Sequence, residues 1–340
     1  MERTLLEAYR PPARKRRYSH RRRANRGSMK KSPPDFAIVG APKCGTTAIY
    51  KTLQQHPQLF LPSIKEPQYF ATEFKDRRAV ETAIAYGRLF EKAKTSQLRG
   101  EGSVMYLSST EAIPALVRQR PDIRVIACIR DPVEMFVSFH NQCLKSLDEE
   151  IMDPEIAWRM QEARATGQQL PKLCHSPRML EYRSVCCVGA QLARMAEHVP
   201  ENQRLILVYD DIEQKPREVY KRIIDFLGIS DDQRVEFLRE NLYARPRSLL
   251  LARIARATQN YPLLKRLRLE IKPLLNRHGL YFVERLFQSN LVEVRKPQLS
   301  EQFRQELRLE FSADVAIVEN LMGRDLSHWR TGKAAVAKHA

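Results

Sequence analysis

The sequence predicts a three-layer α/β fold, a mostly parallel central sheet flanked by helices, and three observations carry that prediction. The apolar run Phe36–Val39 is followed by Gly40, Pro42 and Gly45 and then by the helix-like Ala48–Leu53, which is the pattern of strand, tight loop and helix. Two further apolar runs, Arg124–Ile129 and Arg204–Tyr209, are separated by segments of helical spacing, as buried parallel strands require. The 340 residues, 43% hydrophobic and 29% charged, can bury a large core, and no uninterrupted apolar run reaches the length of a membrane span.

Taken in order, Leu59–Leu61 is a short apolar segment leading into Lys65–Phe70, where Pro67 interrupts regular structure and leaves Glu66 on a loop after a strand. In open α/β sheets such loops line the binding crevice. Gly100–Tyr106 is a second segment rich in small residues, and Ile113, Leu116 and Val117 have helical spacing. The strand Arg124–Ile129 ends at Arg130-Asp-Pro132, and a helix follows through Ser138 and His140, which is expected to be a structural residue. The pattern from Met179 to His198 is helical, and the strand ending at Tyr209 meets the acidic pair Asp210-Asp211. Pro216–Leu227 places Val219, Ile223, Ile224 and Leu227 on one helical face, and Gly228 stops it. The chain beyond about 241 is expected to be helical and basic. It closes on a helix that Ser300 caps and that runs to Leu321.

The net charge of +18 is uneven, since residues 1–34 hold twelve Lys or Arg against two Glu. Low in apolar residues and bracketed by proline pairs, this tail is expected to be disordered, and residues 331–340 are expected to be a flexible C-terminus. The tail can bind nucleic acid, anionic lipid or a polyanionic substrate, or serve none of these. Residues 35–330 then form the folded domain. Six cysteines without a C-x-x-C pair predict reduced thiols in a cytoplasmic setting and no zinc site, and the N-terminus lacks a hydrophobic signal core.

The loop before the first helix carries the chemistry. A helix start presents unpaired N–H groups and the positive end of its dipole, so Gly45, Thr46 and Thr47 form an anion cradle of phosphate-loop type, with Cys44 as a small space-filling residue inside the loop. The nucleotide-hydrolase loop would place lysine where this chain has Thr46, and the loop cation here is Lys43. That difference argues against a kinase or other phosphate-loop NTPase, the first rival reading, although Leu205–Asp210 imitates a strand ending in a magnesium-binding aspartate. The second rival, a nucleic-acid-binding module built on the tail, has no zinc-finger or RNA-recognition pattern to support it.

Pro42-Lys-Cys-Gly-Thr-Thr47 resembles the 5′-phosphosulfate loop of sulfotransferases, and Ile129–Ser138 resembles their 3′-phosphate segment. The resemblance runs from about Asp35 to Trp329, and Lys65–Phe70 with Gly100–Tyr106 is similar to the bacterial and heparan-sulfate-type branch. It implies a P-loop-like fold and sulfuryl transfer from 3′-phosphoadenosine 5′-phosphosulfate (PAPS) to an acceptor hydroxyl, on a carbohydrate or other glycan-like molecule, with no metal required. By the same resemblance Glu66 is the catalytic base, and Lys43 is both catalytic and donor-binding. Arg130 and Ser138 take the 3′-phosphate, and Arg247 and Ser248 fall where the family closes a loop over the donor. Heparan-type enzymes carry a second lysine where this chain has Gly102, and Lys65 is a candidate substitute.

Overall fold

The structure, a computed structural model, describes residues 33–174, 176–237, 243–248, 250–253 and 289–332. The first apolar run is strand β1, Phe36–Gly40, buried along its whole length, and the glycine loop carries it into helix α1, Thr46–Leu53. After the short β2, Leu59–Phe60, the chain follows an irregular course, with one 3-10 turn at Lys75–Arg77, to α2, Ala83–Arg88. β3, Leu98–Gly102, precedes α3, Met105–Ser108, and α4, Ala112–Gln119. β4, Arg124–Ile129, feeds α5, Pro132–Ser146, and the short α6, Pro154–Arg159, and α7, Gln161–Ala165, follow. Next come α8, Tyr182–Cys186, α9, Val188–Ala196, and β5, Arg204–Val208. α10, Tyr209–Gln214, and α11, Pro216–Leu227, complete this part of the chain.

β1 to β5 form one sheet in the order β2-β3-β1-β4-β5, and every pairing is parallel. The register sets Ile38 beside Gly102 on one side and beside Ile126 on the other. Because all strands point the same way, the loops after their carboxyl ends meet at one edge. The chain leaves central β1 toward β2 and β3, then crosses to β4 and β5, so the loop after β1 lies at the switch point where such sheets bind ligands. The core is the sheet with its flanking helices, and Phe36, Ile38, Ile126 and Phe136 are fully buried in it.

Local chemistry explains the boundaries. Asp131 accepts hydrogen bonds from the backbone N–H groups of Val133 and Glu134, and Pro132 fills the first helical position of α5, so Arg130-Asp-Pro132 is a strand end joined to a helix cap. Gly228 ends α11 in the left-handed conformation. Ser300 caps α12, Glu301–Met322, by accepting from the Phe303 N–H. The closing α13, Ser327–Thr331, buries Trp329.

Three details differ from the sequence-based expectation. The stretch from Met179 to His198 is broken into a 3-10 turn at Pro177–Leu180, then α8 and α9, with Cys187 in a non-helical conformation at the junction. Tyr209 does not end β5 but opens α10, and Asp210 and Asp211 lie in that helix. The portion beyond 241 is not wholly helical, because β6, Ala244–Pro246, pairs antiparallel with β7, Leu291–Glu293. Backbone bonds between strands distant in sequence leave no periodic signal in either alone. The tail at 1–32, most of the expected helical region at 254–288, and residues 333–340 lie outside the described residues. Among the described residues no helix is long and apolar enough to cross a membrane.

Candidate active site

A cavity of about 470 Å³ opens at the carboxyl edge of the sheet. Lys43, Gly45, Thr46 and Thr47 line one side of it, and Glu66 and Gln68 line another. Residues from the loops after β1 and β2 are thus joined across a single space. Val104, Met105, Phe139 and Met179 supply an apolar wall, and Arg77, Gln142, Tyr209 and Glu213 complete the polar lining.

The loop after β1 is built for close approach. Gly45 has φ of 83°, and a Cβ there would lie 3.2 Å from both Ile212 and Tyr209, so conformation and space both call for glycine. Thr46 is buried at the first position of α1, where helix N–H groups lack intrahelical partners. Lys43 also has positive φ, 68°. Cys44 points away from the cavity, its thiol donating to the Pro42 carbonyl at 3.5 Å, and burial pushes that thiol well up against the opposing influence of Arg130 and Lys43. Only its backbone N–H is left for an anion, and a neutral buried thiol fills space.

Glu66 stands on the loop after β2, its side chain 39% exposed and ion-paired with Lys65. Its backbone N–H donates to the Gly102 carbonyl at 2.8 Å, which fastens the turn to the end of β3. Glu66 and Gln68 both take left-handed φ values, 61° and 52°, costing about 1–3 kcal/mol each, so the turn depends on such tethers. The glycine at 102 has a local cause: a Cβ there would meet the Tyr50 ring at 2.6 Å, while Tyr50 itself donates to the Pro62 carbonyl. A longer side chain cannot enter without displacing that ring.

Arg130 emerges from the end of β4. Its guanidinium lies 4.2 Å from the Tyr209 ring centroid, donates to the Lys43 carbonyl at 3.4 Å and reaches Glu134 at 4.0 Å. Glu134, despite the cost of its burial, is held below the usual carboxylate range by Lys296, Arg304 and Arg130. Ser138 lies two turns along α5 and is half-buried. Neither Arg130 nor Ser138 is among the described residues that line the cavity. Arg247 and Ser248 flank the end of β6, where Asn290 accepts both of their backbone N–H groups, at 2.6 and 2.8 Å. β6 runs along α5, with Tyr243 donating to the Val137 carbonyl and Arg245 to Asn141. The structure therefore brings Lys43, Gly45, Thr46, Thr47 and Glu66 to one cavity, with Arg130 stacked on the lining residue Tyr209, and places Ser138 along the helix that β6 follows.

His140, Asp210 and Asp211 have structural partners. His140 is fully buried, shares a 2.9 Å hydrogen bond with the Ile151 carbonyl, and is pushed down by burial. Asp211 receives both Nη atoms of Arg324, tying α10 to the closing segment, and Asp210 lies 4.0 Å from His328. Five polar cavity residues escaped the sequence reading, Gln142 and Glu213 among them. Tyr209 looked like the last residue of a strand. Gln68 carried no signal beyond its place next to Pro67. Arg77 sits in a 3-10 turn, and only the fold shows that buried Asp148 holds it at 2.9 Å.

Known proteins resemble this chain in sequence and in fold. Human (Homo sapiens) carbohydrate sulfotransferase 15 is 26% identical over 251 residues, covering 61% of this chain and 40% of the relative. Heparan sulfate glucosamine 3-O-sulfotransferase 3B1 of Mus musculus is 23% identical over 203 residues, covering 60% of this chain and 48% of the relative. The chain thus spans less than half the length of these relatives. A crystal structure of a sulfotransferase from Alicyclobacillus acidocaldarius shares the fold, with a TM-score of 0.62 at 22% identity over 88% of this chain and 99% of that one. Residues 33–248, more than half of the chain, match the sulfotransferase domain family, and the chain belongs to that family.

Proposed function

We propose that this protein transfers a sulfuryl group from PAPS to a hydroxyl of a carbohydrate or other glycan-like acceptor. The observation that carries the proposal is the single cavity whose lining joins the anion loop, Lys43 with Thr46 and Thr47, to the carboxylate of Glu66. In sulfuryl transfer, negative charge grows on the leaving phosphate oxygens, so fixed cations and N–H donors there lower the barrier. Lys43, the N–H groups at the start of α1 and the threonine hydroxyls supply them. Glu66 takes the acceptor proton, a contribution of roughly 10²- to 10⁴-fold. Lys65 holds that carboxylate and stands in for the second lysine that Tyr50 excludes from position 102. Arg130 and Ser138 take the 3′-phosphate, which separates this donor from ordinary adenine nucleotides, and Arg247 and Ser248 contact its phosphates from the loop that closes over it.

The similarity to carbohydrate and heparan sulfate sulfotransferases supports a glycan acceptor, and the mixed polar and apolar lining suits a sugar. Residues 35–330 constitute the transferase domain, preceded by a basic tail that recruits polyanionic acceptors. Six free cysteines support a reducing, cytoplasmic compartment. Calorimetric titration with adenosine 3′,5′-bisphosphate and with ATP plus magnesium tests the donor. Binding of the bisphosphate in preference to ATP is expected, and a preference for ATP overturns the proposal. Lys43→Ala is expected to lose donor use.

A further inference from the structure

The turn that presents Glu66 is fastened at every second residue. Glu66 N–H reaches the Gly102 carbonyl at 2.8 Å, Gln68 N–H reaches Ser103 Oγ at 3.2 Å, and Phe70 N–H reaches Tyr106 Oη at 3.2 Å. The two hydroxyl acceptors share a further partner. Ser103 Oγ donates to Glu101 Oε2 at 3.2 Å and Tyr106 Oη donates to the same oxygen at 3.4 Å, while Tyr86 Oη donates to Oε1 at 2.8 Å. Glu101 is completely buried on β3. A carboxylate removed from water among neutral donors is costly, and packing alone does not call for one here. Its effect is directional. A hydroxyl has a single proton, and a group that takes it leaves the oxygen lone pairs facing the backbone N–H groups of the turn.

We infer that Glu101 is a positioning residue for Glu66: by accepting the protons of Ser103 and Tyr106, it fixes both hydroxyls as acceptors for the turn. It thereby holds Glu66 and Gln68 in the left-handed conformations that face Glu66 toward the cavity. The Gln68 side chain extends the same chain of contacts, since Nε2 donates to Glu66 Oε2 at 3.4 Å. The inference rests on the reading of Glu66 as the base. It adds a buried carboxylate that touches neither donor nor acceptor yet governs the geometry of the one that does.

The environment gives this role a pH signature. The groups facing Glu101 are Tyr86 on α2, Tyr106 on α3, Ser103 after β3, and Tyr50 on α1, whose phenol is pushed up by burial and then by the Glu101 charge. Burial raises the Glu101 carboxyl to about 7, against the three hydroxyl bonds that lower it. Protonation turns one carboxyl oxygen into a donor, and a hydroxyl that must accept from it can no longer direct its own proton there.

The test is amide hydrogen exchange on the full chain, together with kinetics, for the wild type, Glu101→Gln and Ser103→Ala. Glu101→Gln is expected to speed exchange at Gln68 and Phe70 by about tenfold or more while β1 and β4 stay protected. It is also expected to lower kcat by up to roughly 10²-fold with donor KM and affinity for adenosine 3′,5′-bisphosphate unchanged. Its kcat should lack the acid limb near pH 7 that the wild type shows. Ser103→Ala leaves the carboxylate in place and is expected to loosen Gln68 alone, which gives a reading if Glu101→Gln does not fold. Unchanged exchange and kcat in both variants, or a parallel loss of donor affinity and of β1 and β4 protection, overturns the inference. The exchange arm needs no donor, so a wild type that fails to use PAPS sinks the proposed reaction while exchange still decides the tether.

Discussion

The guanidinium of Arg130 lies 4.2 Å from the ring centroid of Tyr209, so the residue that follows β4 and the residue that opens α10 form one surface beside Gly45. Tyr209 also lines the cavity, and Arg130 lies between its ring and the Glu134 carboxylate, 4.0 Å away. Tyr209→Phe keeps the ring and should bind adenosine 3′,5′-bisphosphate like the wild type. Tyr209→Ala should weaken binding by about 2- to 5-fold, the equivalent of ~0.5–1 kcal/mol, in a calorimetric titration.

Gly45→Ala tests the anion loop through its backbone. The substitution adds a Cβ at φ of 83° and 3.2 Å from Ile212 and Tyr209. A cost of about 1–2 kcal/mol is expected from the left-handed conformation alone, with a lower Tm and weaker binding of the bisphosphate. An unaltered Tm and affinity would show that the loop adopts another conformation.

Away from the cavity, Arg164 donates to both oxygens of Glu149 at 2.6 and 2.8 Å, Tyr182 adds a third bond at 2.6 Å, and both charged side chains are buried. Despite the cost of burial, these bonds hold the Glu149 carboxyl below its ordinary value. A depressed carboxyl stabilises the fold above its unfolded value, about 4.3, and that contribution is lost as pH falls through the lower folded value. Arg164→Ala should therefore cost about 3–5 kcal/mol near pH 7, and the difference from wild type should shrink below about pH 4 in denaturant titrations. A difference independent of pH would contradict this assignment.

The parts legible in the sequence were those in which a local rule and the tertiary structure agree. Phe36–Gly40, Arg124–Ile129 and Pro216–Leu227 have boundaries set by glycine, proline and capping residues, so periodicity found them. The loop after β1 was legible because a glycine turn between an apolar strand and a helix start is a local pattern. Glu66 was placed on its loop by Pro67, but its candidacy as a base came from family resemblance. The β6–β7 pair and the fastening of residues 66–70 around Glu101 depend on partners tens of residues apart. No local pattern encodes them. Tyr209 was visible but misassigned, since an apolar strand and the tyrosine that follows it look continuous until the helix begins.

The basic tail makes a separate prediction. Deleting residues 1–28 removes most of the charge excess of the first 34 residues and should slow sulfuryl transfer to a polyanionic acceptor while sparing a neutral one, with the difference vanishing at high salt. Equal slowing or equal retention on both acceptors would dismiss electrostatic recruitment.

The central claim is that one cavity holds a donor cradle and a separate base. Its most direct test compares Glu66→Gln with wild type in two assays, calorimetric binding of adenosine 3′,5′-bisphosphate and transfer of labelled sulfuryl from PAPS to a pool of desulfated chondroitin and heparan chains. Donor affinity should be unchanged and transfer should fall by roughly 10²-fold or more. Full transfer activity in Glu66→Gln would contradict the claim, and the acceptor proton would have to go to another group.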